Sequence, residues 1–261
     1  EATRVEVFVC PTCESSTTFP RYNKVSKLFQ TQQGRCGEYA NLFGLYCRAV
    51  GLQTRYIHDV TDHVWTEVFC QNQWIMMDSC EGVIDECSMY EAGWGKQLSY
   101  LVAVSTTHMI DVSAKYTRQW NSHEYQARRR AITSSEAASE HIIAQCNQQL
   151  QASLTEKVRQ QVQSQYQREK SYLQWLQQHT TWDHKYGRGR ISGSLAWKVQ
   201  RQEVGTTKDT NSTTTQPSHF LVQPFVAPPP IADSHKSNTT TVRTRIELLC
   251  HQNHHPSTTI R

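Results

Sequence analysis

The chain has 261 residues, 37% of them hydrophobic and 10% aromatic, enough apolar side chain for one buried core with appendages. Its formal net charge of +4 is modest and the basic residues are spread out apart from Arg128–Arg130, which excludes a nucleic-acid footprint and reads as a solvated helix face. Nine cysteines at irregular spacings, no hydrophobic leader and no run of 18 apolar residues speak against a disulfide framework and against a membrane span, and for a reducing compartment.

The first stretch, VEVFVC, has the apolar character of a segment from inside a domain. Cys10-Pro-Thr-Cys13 follows, a C-x-x-C that is half of a four-thiolate zinc site; a redox pair or incidental cysteines are its other readings. Next comes GRCGEYANLFGLYCRAVG, residues 34–51. Tyr39, Phe43, Tyr46 or Cys47, and Val50 recur at the spacing of one buried helical face, and Gly51 stands where a glycine cap belongs. Cys36 then lies at the mouth of that helix. Unsatisfied N–H groups and the positive end of the helix dipole favour an anion there, so the thiol pKa falls. The plain alternative is a small buried hydrophobe, and Cys47 and Cys70 are read that way.

A nucleophilic thiol needs a base and a group to orient that base. The chain after Gly51 reads as strand Thr54–Ile57, a turn, strand His63–Cys70, a Gln-Asn-Gln turn and strand Trp74–Asp78. Side chains alternate along a strand, so His63, Trp65, Glu67 and Phe69 share a face, as do Trp74, Met76 and Asp78. Folding the second strand onto the third brings His63 and Asp78 close across the ladder. With 12 histidines in the chain, the order Cys, His, Asp is by itself weak.

From residue 124 to about 178 the sequence turns Gln-rich and helical. Ile143, Leu150, Leu154, Val158, Val162, Tyr166, Leu173 and Leu176 form a stripe that calls for a partner, read chiefly as helices packed on the core. GRGRISGS (187–194) offers turn chemistry before Leu195–Val199, with no phosphate-loop pattern around it. Beyond residue 205 the chain is rich in Thr, Ser, Pro and Asn and reads as disordered; Asn211 and Asn238 match the glycosylation acceptor pattern, and His251, His254 and His255 make no metal site.

Taken together, FPRYN, GRCGEYAN, CRAVG, TDHVWTEV, the D-x-C-E of Asp78–Glu81 and YEAGWGKQLSY, in this order and spacing, resemble the catalytic core of cytoplasmic peptide:N-glycanases, members of the transglutaminase-like superfamily. A weaker continuation into GRGRISGSLAWKVQRQE extends the likeness to roughly four-fifths of the chain. Tyr39 replaces the family's usual Trp, and Ser79 stands where relatives carry Pro or Ala. The resemblance implies an α+β fold: a transglutaminase-like, papain-like cysteine core with an antiparallel sheet and the nucleophile at a helix N-terminus, a helical C-terminal extension and a disordered tail. It divides the chain into residues 1–33, the second half of a four-cysteine zinc region whose upstream half lies outside the sequence; 34–112, the catalytic core; 113–204, a helical extension; and 205–261, the tail.

By the same resemblance Cys36 is the nucleophile, His63 the base and Asp78 the orienting acid, while Glu81, Trp74 and Trp94 contact the glycan. Cys10 and Cys13 supply half of a structural zinc site. The implied activity releases intact glycan from the Asn of misfolded glycoproteins through a Cys thioester, leaving Asp. Implied partners are high-mannose glycoproteins recognised at their chitobiose core, and a proteasome shuttle or segregase; the implied location is cytoplasmic, with the nucleus as a second compartment. Two other readings stand beside it: a transglutaminase-like protease or crosslinking enzyme, and a non-catalytic glycoprotein-binding remnant.

Overall fold

In a computed structural model, residues 2, 4–179 and 189–205 are described; the Thr/Ser/Pro-rich tail, both glycosylation-pattern asparagines and the C-terminal histidines lie outside them. Strands β1 (Arg4–Val9) and β2 (Ser16–Arg21) make a two-stranded hairpin. Helix α1 (Val25–Thr31) leads into α2 (Cys36–Ala49), followed by β3 (Thr54–Asp59), β4 (His63–Cys70), β5 (Gln73–Asp78) and the short β6 (Val83–Ile84). One π-helical turn, Met89–Gly93, precedes β7 (Leu101–Val104) and β8 (Met109–Asp111). The remaining helices are α3 (Ser113–Tyr116), α4 (His123–Ile132), α5 (Glu136–Gln151), α6 (Glu156–Gln178) and α7 (Leu195–Gln200). Six strands form one antiparallel sheet in the order β6-β5-β4-β3-β7-β8. Mixed helix and antiparallel sheet is the expected class.

The turn between β4 and β5 is Gln71-Asn72, both at positive φ, 51° and 63°. That pair is the signature of a type I′ hairpin turn, whose twist matches the strands and fixes their register. Cys70 therefore faces Gln73 and Thr66 faces Met77. Both faces of β4 are buried because each has a cover. Helix α2 lies over β3 and β4 on one side. On the other, Ile57, Trp65 and Met76 pack with Met89, Tyr90, Trp94, Leu98, Tyr116 and Tyr125, and with Leu173 and Leu176 of α6.

Helix α2 has the expected limits, with Gly51 at φ 83° just past its end and its N–H bonded to the Arg48 carbonyl. Its buried face keeps Cys47 of the expected stripe and otherwise differs from it. Tyr46 and Val50 are exposed and Tyr39 and Phe43 only half-buried, while Ala40 and Cys47 face inward. Small side chains let the helix approach the sheet closely enough for the Thr66 hydroxyl to donate to the Ala40 carbonyl at 3.1 Å. Cys47 and Cys70 are buried, as read.

The arginine run also differs. Arg130 is exposed, but Arg129 is fully buried: it pairs with Asp111 and Glu136, donates to the Ser99 carbonyl and stacks 3.8 Å from the Tyr100 ring. The apolar stripe of the extension is carried by two helices broken at residues 152–155. Val162, Leu173 and Leu176 are buried and Val158 is exposed. No helix among the described residues is long and apolar enough to cross a membrane.

Candidate active site

Cys36 is the first residue of α2, and the loop before it is held from several sides. The Glu38 carboxylate accepts the Arg35 N–H at 3.0 Å and both arms of the Arg21 guanidinium. Arg21 and Arg35 both reach Glu6 on β1. The β1–β2 hairpin thus clamps the loop that presents the thiol. In the sequence, Arg21 of FPRYN and Glu38 of GRCGE belong to separate motifs, and nothing local marks them as partners.

His63 opens β4 and Asp78 closes β5. Continuing the hairpin register sets Asp78 opposite Trp65, so His63 is its diagonal neighbour on the same face, within side-chain reach. Nε2 of His63 lies 2.8 Å from Oδ2 of Asp78. Asp78 is further fixed by the Cys80 N–H at 2.9 Å, the Glu81 N–H at 3.3 Å and the Tyr90 hydroxyl at 3.0 Å. Tyr90, fully buried in the π-helical turn, is a site residue that sequence reasoning missed. The imidazole is walled by Trp94 at 5.0 Å, Tyr90 at 5.4 Å and Trp65 at 5.7 Å between ring centroids.

The other ring nitrogen, Nδ1, is buried and makes no hydrogen bond among the described residues. It is the ring nitrogen that Asp78 leaves open. Burial works against a thiolate at Cys36, yet the His63 imidazole, the Val64 N–H and the Arg190 charge together hold the thiol below its ordinary pKa. Burial likewise opposes charge on His63, and the Asp78 carboxylate with Cys36 reverses this and raises the imidazole. Desolvation would raise Asp78, but His63, Tyr90 and the Cys80 N–H lower it. The three shifts run in one direction, each favouring the charged form of its group: Cys36 and Asp78 lowered, His63 raised.

Of the three expected glycan contacts, two lie beside this constellation and one does not. Glu81 is buried, and its carboxylate accepts the Ile191 N–H at 2.8 Å and the Ser192 hydroxyl. Trp94 is buried against His63 with the Arg190 guanidinium 4.7 Å over its ring. Trp74 pairs with Phe69 near the opposite end of β5, four residues or about 13 Å from Asp78, under the Arg55 guanidinium at 4.1 Å. Arg55 and Glu67 form a buried set with Lys115, Tyr116 and Glu169, and Trp65 donates to the Tyr116 hydroxyl at 3.0 Å.

Cys10 and Cys13 lie in the turn of the β1–β2 hairpin, where the Glu14 N–H bonds the Cys10 carbonyl and the Cys13 thiol meets the Ser15 hydroxyl at 3.0 Å. Contacts with Ser15 and Cys10 bring the Cys13 thiol down to about 7. The donor chemistry suits zinc, but the two thiols supply only half of a tetrahedral set, and no group of three or more metal-binding side chains occurs among the described residues.

Residues 1–79 match the family model described as the transglutaminase-like superfamily. The chain is homologous to proteins named peptide-N(4)-(N-acetyl-beta-glucosaminyl)asparagine amidase. It is 43% identical to the one from Homo sapiens over 206 residues, 78% of this chain and 30% of that protein. It is 42% identical to the one from Gallus gallus over 210 residues, 78% of this chain and 31% of that protein. The Arabidopsis thaliana protein of that name is 48% identical over 136 residues, 51% of this chain and 19% of that protein. The chain thus spans about three-tenths of the length of the animal relatives.

Proposed function

We propose that this chain is the catalytic core of a peptide:N-glycanase, an amidase that hydrolyses the bond between an N-linked glycan and its Asn. The observation that carries the reading is the trio Cys36, His63 and Asp78, with Nε2 of the imidazole on Asp78 and Nδ1 free for the thiol, in a chain homologous to amidases of that name.

In this reading the Cys36 thiolate attacks the side-chain amide carbon of glycosylated Asn, forming a C–S bond. The C–N bond breaks as protonated His63 delivers its proton to the departing glycosylamine nitrogen. A thioester remains. Neutral His63 then takes a proton from water, a C–O bond forms, the C–S bond breaks, and Asp and the regenerated thiolate leave the step. Asp78 stays ionised throughout and holds the imidazole tautomer. The net change is one water added across an amide, so the paired carboxylates of glycosidases have no part in it.

Misfolded glycoproteins as substrates, a cytoplasmic setting, and shuttle or segregase partners belong to the same proposal. So does a zinc ion held by Cys10 and Cys13 with ligands from beyond the described residues; it would supply structure to the hairpin that clamps the Cys36 loop. The test is release of intact glycan from a denatured high-mannose glycoprotein by this chain and by Cys36→Ala, with and without added zinc. Release by the first alone supports the reading. No release by either, while the folded chain still binds chitobiose, supports a glycoprotein-binding remnant instead.

A further inference from the structure

Residues 189–205 lie over the constellation and bring one charge to it that no local pattern marked. Arg190 is 7% exposed. Its guanidinium lies between two indoles, 4.7 Å from the Trp94 ring and 4.4 Å from the Trp197 ring. It donates to Glu203 at 2.8 Å and to the Ser192 hydroxyl at 3.0 Å, with Glu81 3.8 Å away. Its backbone is pinned as well, the N–H on the Glu203 carbonyl at 3.0 Å and the carbonyl on Lys198 at 3.1 Å. Glu203 is shared with Arg201, which in turn reaches Asp62 in the turn before His63. A stacked, hydrogen-bonded and poorly hydrated cation has little freedom and little screening.

We infer that Arg190 is a positioning residue for the His63–Cys36 pair: clamped between Trp94 and Trp197, it fixes a positive charge one ring away from the imidazole and locks residues 189–205 against Glu81. The inference rests on the reading of Cys36 as the nucleophile. Trp94 has Arg190 over its ring and His63 5.0 Å away, so the cation sits one ring from the imidazole. The titratable groups coupled electrostatically to Cys36 are His63 of β4, Tyr56 of β3, Cys80 in the loop after β5 and Arg190. Of these, only His63 and Arg190 bring positive charge.

The experiment is alkylation of Cys36 in the full chain across the mildly acidic to alkaline range, followed on the Cys36 peptide by mass spectrometry because the chain has nine cysteines. Wild type, R190Q, R190K and E203Q are compared. R190Q is expected to react about threefold more slowly on the acidic side, the profile moving to higher pH by about half a unit, since a lost neighbouring charge is worth that order. R190K restores most of the rate, and E203Q, which breaks the same ion pair but leaves the cation, does not move the profile upward. Superposition of R190Q on wild type overturns the inference. So does an upward move of R190Q and E203Q together, which assigns the effect to the broken contact. If R190Q fails to fold, R190K and E203Q decide: either one moving to higher pH overturns it. An ordinary thiol profile for wild-type Cys36 sinks the nucleophile reading itself, whereas a low profile that ignores Arg190 sinks only this inference.

Discussion

Asp78 shows how much one side chain can be asked to do. Its two oxygens take a ring nitrogen, a phenol and two backbone N–H groups, all of which favour the carboxylate form. Asp78→Asn keeps the size but offers His63 an amide in place of a charge, and glycan release is expected to fall by about 10²–10⁴-fold, with the fold intact by circular dichroism. The pH dependence follows from the signs. Cys36 is held low, so the thiolate persists below the ordinary thiol range; His63 is held high, so the imidazolium persists above the ordinary imidazole range. Activity plotted against pH should be a bell whose two limbs belong to the coupled Cys36–His63 pair. The roles of Cys36, His63 and Asp78 came only from the resemblance, but the place of Cys36 at a helix start and the approach of His63 to Asp78 across a hairpin were legible in the sequence. Tyr90, Arg21 and Arg190 were not, because each acts on a partner that is distant along the chain and leaves no period.

At the scale of elements, the β4–β5 hairpin is where sequence and structure agree most closely. Strand alternation and a turn whose residues accept positive φ leave little freedom of register. Helix α2 has its expected bounds and buries Cys47 as one of the expected positions, but its neighbour on that face is Ala40, because the sheet demands small residues where periodicity favoured Tyr39 and Phe43. Arg129 reads in the sequence as a solvated charge because nothing near it discloses Asp111 or the rings above it. Behind β4, Glu67 is fully buried, and although burial opposes its charge, Arg55 and Lys115 hold it down at about 2. A carboxyl depressed on folding stabilises above its unfolded pKa and loses that stabilisation as pH falls toward the folded value. Stability should therefore decline between about pH 4.3 and about pH 2. Glu67→Gln should cost about 3–5 kcal/mol at neutral pH by leaving Arg55 and Lys115 short of a partner, read from denaturant midpoints, and should flatten that decline.

For the described part of the molecule as a whole, the core does not stop at residue 112. Leu173 and Leu176 of α6 pack into the same cluster as Ile57 and Trp65, and Glu169 of α6 reaches Arg55 of β3 at 2.6 Å. The stripe on the extension was legible, but its target was not, since an apolar face does not name what it packs on. Leu173→Ala is expected to cost about 2–5 kcal/mol and to lower the denaturant midpoint at unchanged slope, with fluorescence and circular dichroism tracing one transition. Separate transitions would mean that the extension folds independently of the sheet. The claim that draws these scales together is that Cys36 opens an amide. The direct measurement is to treat a denatured N-glycoprotein in heavy-oxygen water and weigh the former glycosylation site. The expected result is Asp carrying one heavy oxygen with wild type and untouched glycosylated Asn with Cys36→Ala. Asn still bearing a sugar after glycan loss, or heavy Asp formed equally by Cys36→Ala, would contradict the account.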